Sequence, residues 1–121
     1  MGDRISIAFA DGEDESIAFF SHSDGKYLLN VVGEYLTEYN SKHDKARKLM
    51  PLDRFEPNTV MVDFIRWMAV KGLLGEEVEH NYYLGRDSYD ADNSDNGHYI
   101  FYRDGSSIKW KQGKSFYILL A

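Results

Sequence analysis

Cysteine is absent from the 121-residue chain. That absence removes a disulfide framework, a thiolate zinc site and a cysteine nucleophile together, and it suits a reducing compartment. Pro51 and Pro57 are the only prolines, so most of the chain is open to regular secondary structure. No apolar run approaches the roughly 20 residues that a membrane helix needs. The opening MGDRISIAFADGEDES has no basic stretch leading into an apolar one, so no secretory signal is expected. These readings place the protein in the cytoplasm. A Walker loop, a GxGxxG after a strand, a GxSxG elbow and an HExxH pair are missing too, which withdraws the familiar phosphate-cradling, serine-hydrolase and zincin chemistries. Ser21-His22-Ser23-Asp24 strings a serine, a histidine and an acid together, but neighbouring side chains point apart and triads are assembled from distant positions. Helix capping by Ser21 or Ser23 is the simpler reading.

What is present describes a folded domain. Hydrophobic residues make up 43% of the chain and aromatics 15%, well above the composition of a disordered segment. The length suits one domain that buries a core without staples. The net charge of −6 is unevenly spread: residues 1–41 carry −6, 42–54 carry +3, 76–95 carry −6 and 96–121 carry +3. A net negative field opposes nonspecific nucleic-acid binding, which depends on phosphate neutralisation.

The order of elements follows from periodicity. Ile5, Ile7 and Phe9 alternate with Arg4, Ser6 and Ala8, the period of a strand with one buried face. Asp11-Gly12-Glu13-Asp14 is a hairpin turn, and Ile17–Phe20 is expected to pair back. Leu28, Val31, Val32, Tyr35, Leu36 and Tyr39 recur at helical spacing, with Gly33 in mid-helix, where a close crossing would explain it. Residues 40–56 read as a basic linker. A second helix runs from Pro57 to Lys71 and stops at Gly72. It is apolar around most of its circumference, which suggests a central position or an interface. Asn81–Leu84 is a strand. His98–Tyr102, Ile108–Lys111 and Phe116–Leu120, joined by Asp104-Gly105 and Gln112-Gly113, read as an antiparallel meander. The expected fold is α+β, in the order β-β-α-α-β-β-β-β, a mainly antiparallel sheet with two helices on one face, as a single domain over residues 1–121.

Ligand-type chemistry is concentrated in Asp90–Tyr99. Asp92-Asn93-Ser94-Asp95-Asn96-Gly97 matches the opening of a calcium loop, with oxygen ligands at positions one, three and five (Asp92, Ser94, Asn96) and glycine at six. The match fails at position twelve, where Arg103 stands for the bidentate glutamate. A solvated turn whose Asx side chains bond their own backbone is the competing reading. A mixed site for a transition metal is a third, with His22 and His98 joining Asp92 and Asp95 if the strand ends are neighbours. The carboxylates need compensation in any case, from a cation, from Arg103 or Arg86, or from turn amides. In the last strands, aromatics beside Arg103, Lys109, Lys111 and Lys114 could stack bases. Alternation, however, sets Ile108 and Trp110 on one face and Lys109 and Lys111 on the other, the pattern of an ordinary half-buried strand.

Phe20-Ser21-His22 and Asp92–Tyr99 resemble signatures of a family of small uncharacterised single-domain proteins of bacteria, archaea and their phages. The likeness runs from the first hairpin to about Tyr102 and stops before the lysine-rich tail. It implies that the acidic turn is a signature, and it brings no catalytic residue. Together these readings favour a small binding or interaction protein, linked to phages or mobile elements, over an enzyme. The ligand-binding candidates are His22, Asp92, Asp95, Asn96, His98 and Arg103. The partner is a second copy or another protein, without nucleic acid or membrane. No cofactor is expected, although a divalent cation could sit on Asp92, Ser94 and Asn96. The alternatives are a metal-dependent phosphoester hydrolase and a small nucleotide-binding module.

Overall fold

The computed structural model describes residues 2–42, 55–86, 91–105 and 107–113. The strands are β1 (Ile5–Asp11), β2 (Asp14–Glu15), β3 (Ala18–Ser21), β4 (Tyr82–Gly85), β5 (His98–Asp104) and β6 (Ser107–Gln112), and the helices α1 (Tyr27–Lys42), α2 (Pro57–Val70) and the single turn α3 (Val78–Asn81). A 3-10 turn, Ala91–Asn93, lies between β4 and β5. The class is α+β, as expected. The strand proposed at Phe116–Leu120 and the basic segment 43–54 lie outside the described residues.

The sheet runs β4-β3-β1-β5-β6, with β2 also paired to β1. Four of its pairings are antiparallel, but β1 and β5 run parallel, from Ser6 opposite His98 to Ala10 opposite Tyr102. Of the expected meander, the described residues include the β5–β6 hairpin; β4 pairs with β3 on the other side of the sheet. The first hairpin forms around Gly12, whose φ is 66°. Its register slips by one residue between Ala10↔Glu15 and Ile7↔Phe19, the mark of a bulge. Ser16 fills that bulge, its Oγ accepting the Phe9 amide at 2.9 Å.

One face of the sheet carries Ile5, Ile7, Phe9, Phe19, Tyr99 and Phe101 against the buried sides of α1 and α2. Phe64 of α2 packs on Phe9, Phe19 and Tyr35 with ring centroids 5.3–5.8 Å apart. Trp67 meets Tyr35 at 5.6 Å and donates its indole N–H to Glu38. All six periodic residues of α1 are buried. Asp63, a charged residue within α2, is buried too, accepting a hydrogen bond from the Tyr35 hydroxyl at 2.7 Å. α2 ends as expected at Gly72: the Gly72 amide bonds Ala69 O and the Leu73 amide bonds Met68 O, the pattern of a Schellman stop.

Four local readings are corrected. β1 is buried on both faces, because Ser6, Ala8 and Ala10 are as enclosed as the larger residues between them; these alternates are small rather than charged. A Cβ on Gly33 would meet nothing within 4 Å among the described residues, so no crossing between them explains that glycine. Neither Ser21 nor Ser23 caps α1, which begins only at Tyr27; Ser21 Oγ accepts the Asp24 amide in the turn before it. The linker is shorter than 40–56, since α1 continues to Lys42 and Phe55 is buried against Phe9 and Tyr39.

Candidate functional site

The parallel pairing of β1 with β5 brings the acidic turn to the first residues of the chain. Gly97, at φ 99°, accepts the Ser6 amide through its carbonyl, and Arg4 O accepts the Asn96 amide at 3.0 Å. Asn96 Nδ2 donates to Arg4 O at 2.9 Å and to Asp3 Oδ1 at 2.7 Å. The turn is thus laid along Asp3 and Arg4 as an extension of the strand pairing.

Arg4 supplies the charge compensation. Its Nε stands 3.2 Å from Asp95 Oδ2 and its Nη1 3.5 Å from Asp92 Oδ1, while its backbone amide donates to Asp95 at 3.0 Å. Asp92 also accepts the Tyr83 hydroxyl at 2.6 Å. Tyr83 is aimed there by its stacking on Phe20, with centroids 4.7 Å apart. The Tyr83 bond, followed by His22 and Arg4, holds the Asp92 carboxyl below the usual carboxylate range against the opposing effect of burial. Asp95 is lowered chiefly by the Arg4 amide and then by the Arg4 side chain. Arg4 is raised in turn, first by its bond to Asp95. Both carboxylates are therefore ionised at neutral pH.

His22 and His98 are used differently. His22 Nε2 lies 3.4 Å from Asp92 and Nδ1 3.2 Å from His80 O. Both partners are acceptors, so only a ring with two N–H groups engages both at once. His98 is 1% exposed, with Nδ1 2.7 Å from Ser6 Oγ and Nε2 2.9 Å from Glu15 Oε2. Asn93 Nδ2 donates to Ser6 Oγ at 3.0 Å. With the Ser6 hydroxyl donating to Nδ1 and Nε2–H donating to Glu15, every hydrogen bond in the chain Asn93–Ser6–His98–Glu15 has a donor and an acceptor. Ser6 is completely buried, which denies this serine the access a nucleophile needs.

The proposed residues therefore divide into three places. His22, Asp92, Asp95 and Asn96 do come together, around Arg4. Ser94 sits beside them, partly exposed. His98 lies on the sheet face turned away from the helices, with Ser6 and Glu15. Arg103 is at the far end of β5, with Nε 3.3 Å from Asp11, and compensates nothing in the turn. Asp90 lies outside the described residues. The carboxylates turn to Arg4, His22 and Tyr83, and among the described residues no group of three His, Asp or Glu is placed to hold a metal ion. Beside Gly2, Arg4, His22 and Asp92 opens a cleft of about 400 Å³. Sequence reasoning missed Arg4, Ser6, Glu15 and Tyr83. A polar Ser6 within the apolar alternation of β1 was the one local signal available.

No family model, curated protein or solved structure matches the chain.

Proposed function

We propose that this is a binding protein that uses the sheet-end cleft around Arg4, His22 and Asp92 to take a basic segment of a protein partner. The supporting observation is the carboxylate content of the cleft: among the described residues Asp92 and Asp95 lie against the Arg4 guanidinium, and Asp3, held by the Asn96 side chain, adds a third carboxylate. The chain as a whole adds a net charge of −6, which steers cations toward such a rim. The rim is pre-set by Tyr83, Asn96 and the backbone of Arg4, so binding need not order it. Cation-dependent phosphoester hydrolysis would need the same carboxylates turned toward an ion. The two readings compete for Asp92, and the metal titration described in the Discussion separates them.

The test is fluorescence anisotropy with labelled hexalysine and hexaglutamate. Hexalysine is expected to bind, more weakly as salt rises. Asp95→Asn and Asp3→Asn should weaken it, while Glu34→Gln, on the exposed side of α1, removes the same charge elsewhere and should not. Equal binding of hexaglutamate, or equal losses at Glu34, refutes the assignment.

A further inference from the structure

The sheet carries a second cleft on the face turned away from the helices, about 260 Å³ in volume. Its walls come from four adjacent strands. Pairing sets Glu15 opposite Ala10, Ala10 opposite Tyr102, and Ile100 opposite Lys111, so all five side chains share this face. Ala10 and Ile100 form a low apolar floor. Glu15 rises from β2 on one side, with Glu13 beside it, and Lys111 from β6 on the other. Three strand spacings separate the backbones of those walls by about 14 Å, and both charged residues line that span.

Among the described residues, each wall charge has capacity left for a ligand. His98 Nε2 takes only Oε2 of Glu15, and the Glu15 side chain remains 40% exposed. The Lys111 ammonium stands 5.1 Å from the centroid of the Tyr102 ring. A ring face uses the charge of an ammonium but gives its N–H donors no hydrogen-bond acceptor of ordinary strength. Arg103, the other cation of the cleft, is engaged by Asp11. A carboxylate wall, an ammonium wall and an apolar floor are together complementary to a small molecule that carries both charges. The volume is just below the roughly 300–1,000 Å³ of pockets that take drug-sized ligands, which restricts the occupant to a few heavy atoms.

We propose that this cleft binds a small zwitterion of the amino-acid class. Its ammonium lies against Glu15 and Glu13, its carboxylate against Lys111, and its methylene chain over Ala10 and Ile100. The site is separate from the basic-segment cleft at the sheet end and does not depend on it.

The experiment is an ¹H–¹⁵N NMR titration of the full chain with glycine, β-alanine and 4-aminobutyrate, alongside acetate and methylammonium as half-ligands. At least one zwitterion should give saturable shifts at Gly12, Ile100, Tyr102 and Lys111, and the half-ligands should bind at least about tenfold more weakly. Glu15→Gln and Lys111→Met should each weaken the zwitterion about tenfold, whereas His22→Ala should leave it unchanged. Should Glu15→Gln disturb the buried histidine and unfold, the Lys111 variant, on the mostly exposed strand β6, decides. No saturable shift with any zwitterion up to about 50 mM, well above the millimolar range of weak ligands, overturns the proposal. So does half-ligand binding of equal strength, or binding undiminished in Lys111→Met.

Discussion

Phe64→Ala is the sharpest test of how this domain is held together. The ring is completely buried, and its neighbours Phe9 and Phe19 belong to the sheet while Tyr35 belongs to α1. Truncation removes an α2 side chain that touches both the sheet and α1. Phenylalanine-to-alanine changes in cores cost about 3–5 kcal/mol. The upper half of that range applies here, because edge-to-face aromatic contacts add to burial and a hole walled by rigid rings collapses poorly. A domain of this length has a total stability on the order of 6–18 kcal/mol, so the variant should stay folded but lose a large fraction of it. With a urea slope of about 2 kcal/mol per molar, a loss of about 4 kcal/mol moves the midpoint down by about 2 M. Thr59→Ala is the control on the same helix: Thr59 is exposed, and its replacement should be neutral within about 0.5 kcal/mol. Tryptophan fluorescence through Trp67 and far-ultraviolet circular dichroism should report one transition. A Phe64→Ala midpoint equal to that of the parent, or a Thr59→Ala loss as large, would refute the packing described here.

The remaining predictions concern the acidic turn and the outer side of α2. Asp92 is held below its usual range in the folded state, so its contribution is present at neutral pH and is lost as pH falls from about 4 through the folded-state value. Tyr83→Phe should move the Asp92 carboxyl titration upward in ¹³C NMR and flatten the acid limb of the stability curve; an unmoved titration contradicts the assigned cause. Because Arg4 already compensates Asp92 and Asp95, thermal melts of chelated protein should not change on adding calcium, magnesium, manganese or zinc. A rise of several degrees that Asp92→Asn abolishes would instead indicate a cation bound by the folded form. Val62 and Val70 are 68% and 74% exposed along one side of α2; self-association through this stripe predicts a two-fold dimer. Sedimentation at about 50 μM, where a micromolar dimer would be populated, should then show a species of twice the 14.0 kDa chain, and a monomer alone refutes it.

The sequence by itself determined the longer elements and which of their apolar residues face the core. The two-residue alternation of Ile5, Ile7 and Phe9, the helical spacing of Leu28 through Tyr39, Pro57 at a helix start and Gly72 at its end all act within a few residues. Local sterics and periodicity carry that information. The resemblance and the calcium-like spacing likewise drew attention to Asp92–Gly97. Only the tertiary structure decided what that turn meets. Arg4 reaches Asp92 and Asp95 across about ninety positions, and Ser6, His98 and Glu15 are joined across similar separations. A period fixes which side of a strand is buried but not which strand lies beside it or in which direction. The parallel pairing of β1 with β5 supplied that missing choice. It turned Arg4, read as the exposed start of a strand, into the counter-charge of the acidic turn, and His98, read as a neighbour of that turn, into a buried support for Glu15.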